Sequence, residues 1–213
     1  MSHLLGEGEN MMWKLCERYS SLTRSFNFLA AKDYLIDKNG VWKCDEYGNR
    51  ILPFGGQLPN MDGFDVDAMK NHATTEHEKF KTCDAFVFAE GVNPPCLIEF
   101  KDQNVRNVIQ PDVMNKCWGS LVVLHKTLLN ECTFSQLAKK IRLIVVFSAS
   151  KSRILQFLAE KASSARDEFR HGICWDLQYY TQVGIFSSVH TWSDEQFRSH
   201  LSDIGLCEKK DVA

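Results

Sequence analysis

The sequence predicts a mixed α/β (α+β) fold, a central β-sheet of mixed strand direction flanked by helices, and three observations carry that reading. The run Ile141-Arg142-Leu143-Ile144-Val145-Val146-Phe147 is β-branched and almost continuously apolar, as expected of an interior strand buried on both faces. Two shorter runs, Cys83-Asp84-Ala85-Phe86-Val87-Phe88 and Cys96-Leu97-Ile98-Glu99-Phe100-Lys101, are separated by a stretch holding Gly91 and Pro94-Pro95, the pattern of a hairpin. Segments with helical spacing of apolar residues stand before, between and after these strands. At 213 residues, 44% hydrophobic and 24% charged, the chain is long enough to bury its own core as a single domain, 1–213.

The first element is an amphipathic helix over 9–38, where Met12, Leu15, Tyr19, Leu22, Phe26 and Leu29 recur at steps of three and four before Asn39-Gly40 ends the pattern. Val41-Trp42-Lys43-Cys44 and Arg50-Ile51-Leu52-Pro53-Phe54 flank Asp45-Glu46-Tyr47-Gly48-Asn49 as a short hairpin, with Pro53 ill-suited to a central strand. Residues 55–75, rich in Gly, Pro, Asn and Asp, read as an irregular loop or insertion. The core, 80–150, then runs from a strand around Thr82–Ala89 through the strand Cys96–Lys101. A helix opening near Pro111 follows, carrying Val113, Cys117, Leu121, Leu124 and Leu128, and then the Ile141 strand. Ser150 is suited to cap a helix bearing Ile154, Phe157, Leu158 and Ala162, and Trp175–Ser187 offers one or two short strands. Ser193-Asp194-Glu195-Gln196 is a capping box for a last helix with Phe197 and Leu201, and 206–213 is a tail.

Composition narrows the function classes. With 25 basic and 27 acidic side chains the net charge is -2, so a polyanionic partner has to be met by a local basic patch rather than a global field. The eight cysteines form no C-x-x-C pair, which argues against a zinc site or a disulfide framework and for a reducing, cytoplasmic setting. No run approaches the roughly 18 apolar residues of a membrane span. G-x-S-x-G, the phosphate loop G-x-x-x-x-G-K-[ST] and H-E-x-x-H are all absent, and the histidines show no ligand spacing.

The informative residues are the charges inside the apolar hairpin: Asp84 opens one strand, Glu99 and Lys101 close the other. Charges in such a place are costly unless they satisfy one another or hold a metal ion. Side chains alternate along a strand, so Glu99 and Lys101 share one face and Phe100 takes the other. Asp84 joins them if it lies opposite residue 99 or residue 101, and is separated from them if it lies opposite residue 100. The structural alternative is an edge hairpin whose strand ends carry solvated charges. The acid-x-Lys triplet proves little alone, since Glu208-Lys209-Lys210 repeats it in the tail.

This constellation resembles the PD-(D/E)xK nuclease superfamily, the restriction-endonuclease-like fold. Its core runs helix, three antiparallel strands, helix, strand (αβββαβ), with an Asp at the start of the second core strand and an acid-x-Lys triplet at the end of the third. Cys83 stands where the signature has proline. The resemblance implies a metal-dependent nuclease that hydrolyses phosphodiester bonds of DNA or RNA. Asp84 and Glu99 would hold Mg²⁺ or Mn²⁺ together with the carbonyl of Phe100, and Lys101 would orient the water, making Asp84, Glu99 and Lys101 the catalytic set. Glu17 of the opening helix, which lies off the apolar stripe, is a further candidate ligand, and Gln110 and Lys116 are candidates to line the site from the next helix. Phosphate contacts are expected from Arg106, Lys116, Lys139, Lys140, Arg142, Lys151 and Arg153. Trp42, Trp118, Trp175, Tyr179 and Tyr180 are candidates to stack on bases, although core or boundary roles suit most of them. The implied partner is nucleic acid, a homodimer is an option, and no membrane partner is expected. The alternative is a catalytically inactive scaffold of the same fold that acts as a nucleic-acid or protein interaction module.

Overall fold

The computed structural model describes residues 19–32, 35–56, 58–73, 80–88, 94–127, 133–152 and 177–206. Among them a six-stranded mixed sheet lies between two layers of helices. Its strands are β1 (Thr23–Ser25), β2 (Asp62–Asp65), β3 (Ala85–Val87), β4 (Cys96–Lys101), β5 (Arg142–Phe147) and β6 (Ser188–Ser193), side by side in chain order. β1 to β4 pair antiparallel, whereas β5 runs parallel to β4 and β6 parallel to β5. A parallel neighbour needs a crossover, and between β4 and β5 it is made by α3 (Gln110–Thr127) and α4 (Phe134–Ala138). The other helices are α1 (Phe26–Ala31), α2 (Val66–Ala73), α5 (Gln178–Gln182) and α6 (Asp194–Ser199). None among the described residues is long and apolar enough to cross a membrane.

Strand alternation sorts the core into two layers. Phe64, Phe86, Leu97, Leu143, Val145 and Val189 point to the face covered by α2, α3 and α4. Ala85, Val87, Ile98, Phe100, Ile144, Val146 and Trp192 point to the other, under α1 and α6. β5 is flanked on both edges and buried on both faces, apart from the half-buried Arg142 at its start. α3 carries Pro111 in its first turn, and α6 opens on the expected capping box, with the Ser193 and Gln196 side chains bonded to each other's backbone amides.

Four expectations are corrected. The helix 9–38 is not continuous from Tyr19 onward: a 3₁₀ turn (Ser20–Leu22) and β1 intervene before α1. The apolar stripe splits there, Tyr19 and Leu22 facing one layer and Phe26 and Leu29 the other, so no single helix face could bury it. The irregular loop 55–75 contains β2 and α2. Asp65 closes β2 and caps α2, its Oδ1 accepting the amides of Asp67 and Ala68. From Leu177 onward, the strands expected in Trp175–Ser187 give way to α5, with Tyr180 packed on the core, and β6 starts at Ser188. The cap expected at Ser150 falls at Ser148, whose Oγ accepts the Lys151 amide at 3.4 Å. The hairpin around residues 41–54 exists as the isolated bridges Ile36–Trp42 and Cys44–Arg50, outside the sheet.

Candidate functional site

β3 pairs with β4 as Ala85↔Ile98, Phe86↔Leu97 and Val87↔Cys96, so the register sets Asp84, one residue before β3, opposite Glu99. Of the two charge-gathering registers this is the one with the shorter turn, and it puts Asp84, Glu99 and Lys101 on the face that receives α3. Asp84 Oδ2 accepts the Phe100 amide at 2.7 Å, which extends the ladder by one side-chain bond past the last backbone pair. α3 then adds two residues. Lys116 Nζ stands 2.9 Å from Glu99 Oε1 and 3.7 Å from Asp84 Oδ1. Lys101 Nζ is shared between Glu99 Oε1 at 2.8 Å and Asp112 Oδ2 at 3.3 Å, and Asp112 is held on its other oxygen by Lys81 at 2.6 Å.

The position of Asp84 is fixed from α3 as well as from the sheet. Ser120 Oγ accepts the Cys83 amide at 2.7 Å while donating to the Lys116 carbonyl at 2.8 Å. Gly119 lets residues 80–82 lie directly on the helix: a Cβ there would fall 1.9 Å from the Lys81 carbonyl oxygen. Cys83 Sγ and Cys117 Sγ lie 3.8 Å apart beneath this contact, and burial pushes the Cys117 thiol up.

The carboxylates are out of water, Asp84 at 3% exposure and Glu99 at 0%. Burial, and then the neighbouring Glu99 charge, push Asp84 well above the usual carboxylate range, with Lys116, Lys32 and the Phe100 amide pulling the other way. Burial alone would lower the Lys101 ammonium, yet the Glu99 charge overrides it and holds Lys101 up. The Lys81 hydrogen bond, aided by Lys101, holds Asp112 down. A second ionic group adjoins: Lys32, at the end of α1, is 2.8 Å from both Asp65 and Asp67, and Thr82 Oγ1 donates to Asp67. Burial opposes the Lys32 charge, but Asp67, Asp84 and Asp65 together keep it raised.

Above these groups opens a cleft of about 550 Å³, walled by Asp67, Lys70, Phe80, Lys81 and Asp112, among others, with Lys101 and Lys116 in its lining. Asp84 and Glu99 do not line it; the two lysines stand between them and the cleft. Phe100 reaches the cleft through its main chain, since its ring lies in the opposite layer with Phe26, Phe54 and Phe197. Among the described residues no group of three or more His, Cys, Asp or Glu is arranged to hold a metal ion. Two carboxylates and one main-chain carbonyl are nevertheless the hard oxygen donors that Mg²⁺ takes, and Glu99 Oε2 is buried without a hydrogen-bond partner. The donor set fits a hard divalent cation.

Other expected residues separate. Lys139, Lys140 and Arg142 stand at the start of β5, where Arg142 pairs with Cys96, roughly 10 Å of strand from Glu99. Lys151 binds Asp102 Oδ1 at 2.9 Å at the site end of the sheet. Gln110 opens α3 outside the cleft lining, and Arg106 belongs to the 3₁₀ turn Val105–Asn107. Glu17, Arg153 and Trp175 lie outside the described residues. Asp112 and Lys81 escaped the sequence reading, because an acid in the first turn of a helix reads as a partner of the helix dipole and a lysine before a strand reads as solvated. No protein family, curated protein or solved structure matches this chain.

Proposed function

We propose that the chain is a metal-dependent nuclease with a restriction-endonuclease-like core. The observation that carries the reading is the register that puts Asp84 opposite Glu99, on the face shared with Lys101. The topology supports it: β2, β3 and β4 form an antiparallel meander, α3 follows, and β5 returns parallel to β4, the order the resemblance requires. The site lies beyond the carboxyl end of β4, beside those of β5 and β6, where sheets of this kind bind ligands.

Asp84, Glu99 and the Phe100 carbonyl would hold Mg²⁺ or Mn²⁺. Such an ion supplies a water of lowered pKa and a positive charge for a phosphate oxygen. Asp84 keeps its carboxylate directed by accepting the Phe100 amide, and a cation beside it offsets the burial that otherwise favours its protonated form. Lys101, poised between Glu99 and Asp112, orients the attacking water and offsets the charge that builds on the phosphate. Lys70 and Lys81 in the cleft wall contribute sequence-independent attraction for the phosphodiester backbone.

A second reading, an inactive interaction scaffold, is favoured by one feature: two acids already face two lysines, so the carboxylates have counter-charges as they stand. One assay separates the two. Labelled single- and double-stranded DNA and RNA are incubated with protein and Mg²⁺ or Mn²⁺, with EDTA controls. Cleavage that needs the metal and is abolished in Asp84→Ala and Lys101→Ala supports the nuclease. Oligonucleotide binding without cleavage of any substrate removes it in favour of the scaffold.

A further inference from the structure

We propose that Lys116 is the resident counter-ion of the cation site, so that a divalent metal binds only as the Lys116 ammonium swings out into the cleft. The proposal rests on the metal-site reading above and adds a regulation to it.

Three observations point to this exchange. The Lys116 ammonium is the one that approaches both carboxylates, at 2.9 Å from Glu99 and 3.7 Å from Asp84. A divalent ion held by those same oxygens would compete with the ammonium for them. Electrostatics also opposes sharing the site: Lys101, Lys116 and a divalent ion carry four positive charges against three on Asp84, Glu99 and Asp112, whereas without the Lys116 ammonium the two balance. The two lysines are also not equivalent. Lys101 retains Asp112 as a second acid at 3.3 Å and can turn from Glu99 toward it. Lys116 has its backbone pinned, through its carbonyl and Ser120, to Cys83, so the part free to move is its flexible four-carbon stem. Finally, Lys116 already lines the cleft and Glu99 does not, so the outward path is open from the lysine's side.

Two consequences follow. Metal affinity is reduced by the fraction of molecules in which Lys116 has left. The displaced ammonium enters the cleft where a phosphodiester would lie, so metal and phosphate promote each other's binding. A cation site thus stays closed by an internal cation until an anion is at hand to accept it.

The test uses the full chain and Mn²⁺ alone. Acylation of Lys116 by an amine-reactive ester is followed by mass spectrometry with and without Mn²⁺, and scaled to the exposed Lys38. Calorimetric Mn²⁺ titrations compare wild type, Lys116→Gln and Lys81→Gln, the last removing a cleft charge that is bonded to Asp112 rather than to Asp84 or Glu99. The expected result is a several-fold rise in Lys116 acylation with Mn²⁺, and binding about tenfold tighter in Lys116→Gln but within about threefold of wild type in Lys81→Gln. If Mn²⁺ binds wild type while Lys116 acylation stays flat, or if the two variants tighten binding equally, the exchange is overturned and the metal site stands. Mn²⁺ binding neither wild type nor Lys116→Gln overturns the metal site and the exchange with it. The acylation arm needs no variant and remains decisive if Lys116→Gln fails to fold.

Discussion

The two faces of β4 do opposite things with adjacent residues. Toward α1 and α6 it presents Cys96, Ile98 and Phe100, and the Phe100 ring sits among Phe26, Phe54 and Phe197 with centroids 5.4 to 6.3 Å away. Toward α3 it presents Leu97, packed in the apolar layer, and then Glu99 and Lys101, which pair with Lys116 and Asp112. A strand carrying a buried charge pair gains little stability from that pair. The apolar face anchors it, so the charged face is free to be arranged for chemistry.

The largest expected effect breaks the anchor. Phe100→Ala removes the shared ring and should lower unfolding stability by about 4 kcal/mol, read from chemical denaturation. Next comes Glu99→Met, at about 3 kcal/mol, because it removes the buried acid that Lys101 and Lys116 share. The comparison sharpens in the repair: Glu99→Met with Lys101→Met and Lys116→Met should regain most of the loss, while no ionic change repairs Phe100→Ala. A triple variant no more stable than Glu99→Met alone would show that the charged face is itself an anchor.

Glycines draw the same contrast at smaller scale. Gly119→Ala drives a Cβ onto the Lys81 carbonyl and should cost about 2 kcal/mol, displacing the segment that carries Asp84. Gly63→Ala, on the apolar face, meets Ala85 Cβ and Phe26 Cε1 at 3.2 Å and should cost about 1 kcal/mol. Thermal unfolding and metal titration together read both. Gly119→Ala should lose metal binding beyond its loss of stability, and Gly63→Ala should keep it.

Gly63 also marks where sequence reading stops. Asp62-Gly63-Phe64-Asp65 has the composition of a loop, yet it is a strand, and its glycine serves the close approach of Phe26, Ala85 and Val87. Nothing local reveals that, because the crowding comes from residues distant in sequence. The Asp84, Glu99 and Lys101 grouping was legible because alternation and turn parity are local rules, and only the register remained open. Lys116 was legible as a candidate to line the site from the next helix; that it turns onto the two carboxylates follows from Ser120 and Gly119 docking residues 80–83 on α3. The N-terminal stripe misled because spacing reports apolar periodicity and not which layer each residue joins.

The smallest effect is one of slope, and its sign differs between the faces. His190, stacked on Trp192 at 4.6 Å on the apolar side, is pushed down to about 4 by burial, then by Arg142 and His200. An unfolded chain takes up that proton near the ordinary histidine value of 6.5 and the folded one does not until about 4. Its stabilisation is therefore complete above 6.5 and lost as pH falls toward 4. Asp84 runs the other way. Its folded form holds the proton to higher pH than the unfolded chain, so its contribution is complete below 3.8 and declines as pH rises through its elevated value. In denaturation profiles from pH 3.5 to 8, His190→Gln should flatten the acid limb between about 4 and 6.5. Asp84→Asn should flatten the decline above the ordinary carboxylate range, and leave the protein at least as stable as wild type at neutral pH while abolishing metal binding. That pairing, stability kept and chemistry lost, is the signature of a carboxylate held in place for function. An Asp84→Asn protein less stable than wild type at neutral pH would mean that the acid serves the fold, and the two faces would no longer divide the work.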